Sequence, residues 1–173
     1  MVYTKYKFTL QDIAIFLLLA DFSHQLENEM LSDLFEVHNQ EIVWNYRQNF
    51  IHFRSSVKHY IAVYELNDYD YAEAKLIMKE LGSSEFDQKQ PDYFGAYFKQ
   101  VKLHLLYSGA DYRKMKLRTL LKDFGYQRRN TVLMDNMNRA IYSLGLQTYL
   151  RNYEPCNIAD IKLDQIVMIR LKP

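Results

Sequence analysis

Five glycines and three prolines are all that punctuate 173 residues, and this shortage constrains the fold more than any motif does. Glycine and proline stop helices and turn strands. A chain with so few is expected to run in long helices joined by short connections, not as a sandwich of many turns. Hydrophobic residues at 49% and charged residues at 25% describe a chain that buries a core. Its length fits one domain, or two small ones.

Helical periodicity and capping residues divide the first half. Thr9 followed by Asp12 reads as an N-cap with an acid in the first turn, opening a helix to about Phe22. A second helix is expected over Leu26 to Val37, a third over Gln40 to Leu66, and a fourth over Tyr69 to Leu81, ended by Gly82. "GSSEFDQKQPD", residues 82–92, reads as a loop. A fifth helix over Tyr93 to Tyr107 ends at "SGAD".

A net charge of +1 conceals two opposed halves. Residues 1–112 hold 10 Lys/Arg and 16 Asp/Glu, whereas residues 113–173 hold 12 and 5. The division at "SGAD" gives domains of 1–110 and 111–173, the second suited to an anionic partner. Two helices are expected in that half. "YRKMKLRTLLKDFG" spaces Met115, Leu117, Leu120, Leu121 and Phe124 helically, and "RRNTVLMDNMNRAIYSLG" does so with Leu133, Met137, Ala140, Ile141 and Leu144. Each is stopped by glycine. "LQTYL" then reads as a strand, "RNYEPCN" as a turn and "DQIVMIRLK" as a closing strand. The expected fold class is mainly α: an N-terminal helical bundle followed by a small α+β winged helix-turn-helix.

In such a unit the second helix of the pair enters the major groove by its N-terminal end. The equivalent start is "YQRRNT". Arg128 and Arg129 suit phosphate or guanine contacts, and Asn130 and Thr131 suit hydrogen bonds to bases or backbone. Asn138 and Arg139 are expected to point outward from that helix, along with Asp135 and Tyr142. Arg113, Lys114, Lys116, Arg118 and Lys122 load the preceding helix, and Arg151 sits at the wing turn. The segment from Lys116 to Leu171, with "LRTLLKDFGYQRRN", "AIYSLGLQTY" and "IVMIRL", resembles a winged-helix segment of bacterial proteins. That resemblance implies DNA more than RNA as ligand, and a role beside effector modules of defence or nucleic-acid-processing systems.

"NYRQNFIHFRSSVKHY", residues 45–60, contains Arg-x4-His twice, as Arg47 to His52 and Arg54 to His59. On a continuous helix, Val43, Tyr46, Phe50, Phe53, Val57, Tyr60 and Tyr64 form one apolar stripe. The arginines lie beside that stripe and the histidines lie on the polar side. Five steps of 100° leave the members of each pair about 140° apart. "YRQNFIHF" resembles the motif of HEPN-type ribonucleases, with Gln48 where that family more often has Asn, His or Asp. The resemblance implies a metal-independent cleavage at a dimer interface. His52 would be general acid–base, Arg47 would stabilise the phosphorane, and a ribose 2′-OH would attack.

Other chemistry is sparse. Cys156 is the sole cysteine, so neither an intrachain disulfide nor a cysteine-bound zinc is expected. His24, His38 and His104 lack metal-ligand spacing, and Asp70, Glu73 and Lys75 read as surface charge. No cofactor or metal is expected. The apolar run Ile13 to Ala20 is too short to span a bilayer, and no cleavage site follows it. A cytoplasmic location without membrane contact is therefore expected. Three roles follow: a nucleic-acid-binding regulator or accessory subunit, homodimeric or within a hetero-complex; a HEPN-like ribonuclease; and a structural subunit using both halves for protein contacts.

Overall fold

The computed structural model describes residues 6–43, 49–66 and 93–173. The chain divides into two compact units, Met1–Pro91 and Asp92–Pro173. The described residues are mainly helical, with one small three-stranded antiparallel sheet in the second unit. Among them, no helix is long and apolar enough to cross a membrane.

In the first unit, α1 (Leu10–Ala20) opens on a capping box. The Thr9 hydroxyl accepts from the Asp12 N–H, and the Asp12 carboxylate accepts from the Thr9 N–H at 2.8 Å. The helix ends at Asp21, which adopts φ 49, one residue before the expected Phe22. It packs on α3 (Phe50–Leu66), as does α2 (His24–Glu36). Ile13, Leu17, Leu31, Leu34, Phe53 and Val57 are all buried. Phe35 of α2 meets Phe50 and Phe53 of α3 at ring separations of 5.7 and 5.5 Å. Each such buried side chain stabilises the bundle by about 1.5–3 kcal/mol.

The long helix expected from Gln40 is corrected at its start. Residues Asn39–Glu41 form one 3-10 turn, and Ile42 makes a parallel bridge with Phe8. Phe8 N–H donates to the Glu41 carbonyl at 2.7 Å, and Val43 N–H donates to the Phe8 carbonyl at 2.8 Å. Backbone groups engaged in that bridge are lost to a helix. The helix starts only at Phe50, where the Asn49 side chain accepts from the His52 N–H at 3.2 Å. From there the apolar stripe holds: Phe53 and Val57 are buried while His52 and His59 are exposed. The expected helix over 69–81 and loop over 82–92 lie outside the described residues.

The second unit takes in α4 (Tyr93–Tyr107), so it begins before the expected boundary at 110/111. Its order continues with β1 (Arg113–Lys116), α5 (Leu117–Asp123), α6 (Thr131–Ser143), β2 (Leu146–Tyr149) and β3 (Ile166–Leu171). The reason for the earlier boundary is packing. Helix α4 lies against α6 and β3, and its Phe94, Tyr97 and Phe98 surround Phe124 with ring separations of 4.7, 4.8 and 6.0 Å. A charge switch in the sequence does not mark where a core ends.

The helix expected over "YRKMKLRTLLKDFG" is also corrected. Its residues Arg113–Lys116 form β1, paired antiparallel with β3 in the register Arg113 with Ile169 and Lys116 with Ile166. β2 pairs on the other side of β3, with Leu146 opposite Leu171 and Thr148 opposite Ile169. Alternation then puts Met115, Val167, Ile169, Leu146 and Thr148 on one face. Val167, Ile169, Leu146 and Thr148 are fully buried. Lys114, Lys116, Met168, Arg170, Gln147 and Tyr149 occupy the other. Local spacing allowed helix or strand at Met115, and pairing with β3 decided for strand.

Both expected glycine stops are observed. Gly125 has φ +81, the Gly125 N–H donates to the Lys122 carbonyl at 2.9 Å, and the Tyr126 N–H donates to Leu121 at 3.0 Å. This left-handed cap turns the chain between α5 and α6. Gly145, at φ +69, likewise separates α6 from β2.

Candidate nucleic-acid interface

Residues 92–173 hold 14 Lys/Arg and 7 Asp/Glu, so the second unit carries the positive charge of the chain. Its most amphipathic exposed element is α6. The helix buries Leu133, Met134, Met137, Asn138, Ala140 and Ile141. It leaves Val132, Asp135, Arg139 and Tyr142 exposed. Steps of three, four and three place those four on one stripe.

The turn before α6 holds its residues in different ways. Asn130 is the N-cap, and its Oδ1 accepts from the Leu133 N–H at 2.9 Å. That oxygen is occupied by the cap, and the Nδ2 group is the part of the side chain that the cap does not use. Thr131 is the first helical residue and is exposed. The N–H groups of this first turn have no carbonyl a turn earlier to receive them, and the helix dipole adds positive potential there. Arg128 is exposed.

Arg129 is turned to a structural task. Its Nη1 donates to the carbonyl of Ala159 at 3.2 Å and also to that of Ile161. It fastens the loop between β2 and β3 to the start of α6. Asn138 is corrected: it is 8% exposed, and its Nδ2 donates to Asn157 Oδ1 at 2.8 Å. It lies one helical turn from Met134 and nearly one from Ile141, on the inward side.

The cations expected on one preceding helix are distributed over β1 and α5. Arg113 lies on the core-side face of β1, its guanidinium carbon 5.9 Å from the centre of the Tyr97 ring. Lys114 and Lys116 are exposed on the opposite face. Arg118, on α5, makes a two-pronged ion pair with Asp164, Nε to Oδ1 at 3.0 Å and Nη2 to Oδ2 at 3.2 Å. Those hydrogen bonds, and after them the guanidinium charge, hold the Asp164 carboxyl below its ordinary value. Lys122 closes α5, and Arg151 stands in the tight turn after β2; both are exposed. Among the described residues, the side chains of Lys114, Lys116, Lys122, Arg128, Arg139 and Arg151 make no hydrogen bond or ion pair.

Sequence reasoning passed over Arg170. Its guanidinium carbon lies 5.9 Å from the Tyr149 ring centre and 5.6 Å from that of Tyr153. Strand alternation in "IVMIRL" was the signal that could have placed it with Lys114 and Lys116.

In the first unit, His52 is exposed in the first turn of α3, and Arg47 lies outside the described residues. Comparison with protein-family models, curated proteins and solved structures finds no match to this chain.

Proposed function

We propose that residues 92–173 form a winged helix-turn-helix that binds DNA. In this reading α5 and α6 are the helix-turn-helix, α6 is the groove-entering helix, and the β2–β3 connection is the wing. One observation carries it: α6 is amphipathic, with an outer stripe that includes Arg139, and the unpaired Arg128 stands just before its cap. A buried inner face fixes the helix, and the outer face and its N-terminal approach then meet the ligand. Lys122 and Arg151 supply further cations for phosphates. The chain would act as a regulator or as an accessory subunit of a nucleic-acid-processing or defence assembly. Its first unit would serve for dimerisation or partner docking.

The test is fluorescence anisotropy of the full chain with a labelled duplex over a range of salt concentrations. Affinity is expected to fall steeply as salt rises. The Arg128→Ala/Arg139→Ala double variant should bind more weakly and show a log–log salt slope shallower by about 2. Binding that is absent, or indifferent to salt and to this variant, would sink the proposal.

A further inference from the structure

The face of the sheet that carries Lys114, Lys116 and Arg170 is left unexplained by duplex binding through α6. Three facts set it apart. First, the register fixes its membership: Lys114 pairs with Met168, Met168 with Tyr149, and Gln147 with Arg170. Paired residues in an antiparallel ladder share a face, so two lysines, one arginine and Tyr149 stand together opposite the buried side.

Second, Arg170 is placed between aromatic partners, its guanidinium carbon 5.9 Å from the ring centre of Tyr149 and 5.6 Å from that of Tyr153. Tyr153 stays 56% exposed while making this contact. Third, the backbone bends to present that ring. Tyr153 has φ +66, a left-handed conformation that a bulky side chain rarely adopts. The tight turn is closed by Leu150 N–H to Glu154 carbonyl at 2.8 Å and Tyr153 N–H to Leu150 carbonyl at 2.9 Å. Met168, in the middle of the row, is only 4% exposed, so a ligand would meet the flanking side chains and not the strand backbone.

An exposed aromatic ring beside a cation, on a sheet face whose far edge strand carries two unpaired lysines, suits a base to stack on and a phosphate chain to follow. We propose that this sheet face binds an unpaired DNA strand adjoining the duplex held by α6, with Tyr153 stacking on a base. Lys114 and Lys116 would neutralise its phosphates. The inference rests on the duplex reading only for the position of that strand, since its strand residues, Lys114, Lys116 and Arg170, are not among those that grip the duplex. An apolar protein partner would want a greasy face, and this one offers three cations and no acid among its strand residues.

The experiment compares a blunt duplex, the same duplex with an unpaired oligothymidine tail, and the tail strand alone, each against the full chain. The tail is expected to tighten binding about tenfold. Tyr153→Gly should abolish that gain, bringing the ratio of tailed to blunt-duplex affinity to about 1. Glycine is at ease at φ +66, so this variant keeps the fold, checked by an undiminished thermal midpoint. Tyr153→Phe should retain the gain. If the tail gives no gain, or Tyr153→Gly keeps it, the sheet-face inference is overturned while the duplex reading stands. If the tail strand binds with Tyr153 dependence but the blunt duplex does not bind, the inference stands and the duplex reading falls. Binding to none of the three probes overturns both.

Discussion

Asp164 receives both arms of Arg118 across 46 positions of chain, at 3.0 and 3.2 Å. The backbone reinforces the link, because the Arg118 N–H donates to the Leu163 carbonyl at 2.8 Å. The start of α5 is thus held to the approach of β3. The pair also withholds a cation from any anionic ligand. In Asp164→Asn, Arg118 is released and an opposing charge is removed. DNA affinity should therefore rise, and the log–log salt slope should steepen by up to about 1. Equal slopes for the variant and the parent would refute this.

The same pair makes an acid-side prediction. Hydrogen bonds from Arg118, then its charge, lower the Asp164 carboxyl pKa in the folded chain. A lowered carboxylate pKa stabilises the fold above the unfolded value near 4 and is lost as pH falls through the folded value. Both groups are solvent-exposed, so the effect on global stability is small. NMR titration of Asp164 should report a midpoint below that of an ordinary aspartate, returning toward it in Arg118→Ala. No return would show that Arg118 is not the cause.

Arg128 and Arg129 are neighbours with opposite expected phenotypes. Arg129→Ala removes donors from the Ala159 and Ile161 carbonyls. It should cost about 1–2 kcal/mol of stability by chemical denaturation. Arg128→Ala should leave stability unchanged and weaken DNA binding, with a salt slope shallower by about 1. Reversed outcomes would contradict the assignment of the two side chains.

Asn138 offers a control inside α6. It is buried and donates to Asn157 Oδ1 at 2.8 Å, while its own Oδ1 is buried without a hydrogen-bond partner. Asn138→Ala should lower stability by about 1–2 kcal/mol and leave the salt slope of DNA binding untouched. A change in slope without a change in stability would place Asn138 at the ligand after all.

His104 couples the fold to pH. Burial, and after it the positive charge of Arg113, lowers its pKa from the ordinary 6.5. A lowered histidine pKa means that the folded chain prefers neutral imidazole. The resulting stability is present above about 6.5 and is lost as pH falls through the folded value. Arg113→Leu should raise the His104 midpoint toward 6.5 in an NMR titration. An unmoved midpoint would leave burial as the whole cause.

Much of the fold was legible locally. Thr9 and Asp12 sit three apart, and a capping box needs nothing more than neighbours, so the start of α1 followed from the sequence. Gly125 and Gly145 marked turns for the same reason: a left-handed residue is a local demand that glycine meets best. The apolar steps of α6 announced its buried face, although Asn138 lay on the inner side of a boundary that spacing alone drew one residue off. What could not be read concerned partners distant in sequence. Met115 became a strand residue because β3, some fifty positions later, supplied the ladder. The helix expected from Gln40 gave way to a bridge with Phe8. Charge in the sequence identified a basic half, but not which cations remain available. Arg129 is held by Ala159 and Ile161, Arg118 by Asp164, and Arg113 lies over Tyr97, whereas Arg128 and Arg139 are left open. The sequence by itself determined helical content, caps and net charge, since these depend on each residue and its near neighbours. Only the tertiary structure decided strand against helix and free cation against tethered one, because both depend on atoms brought together across long loops.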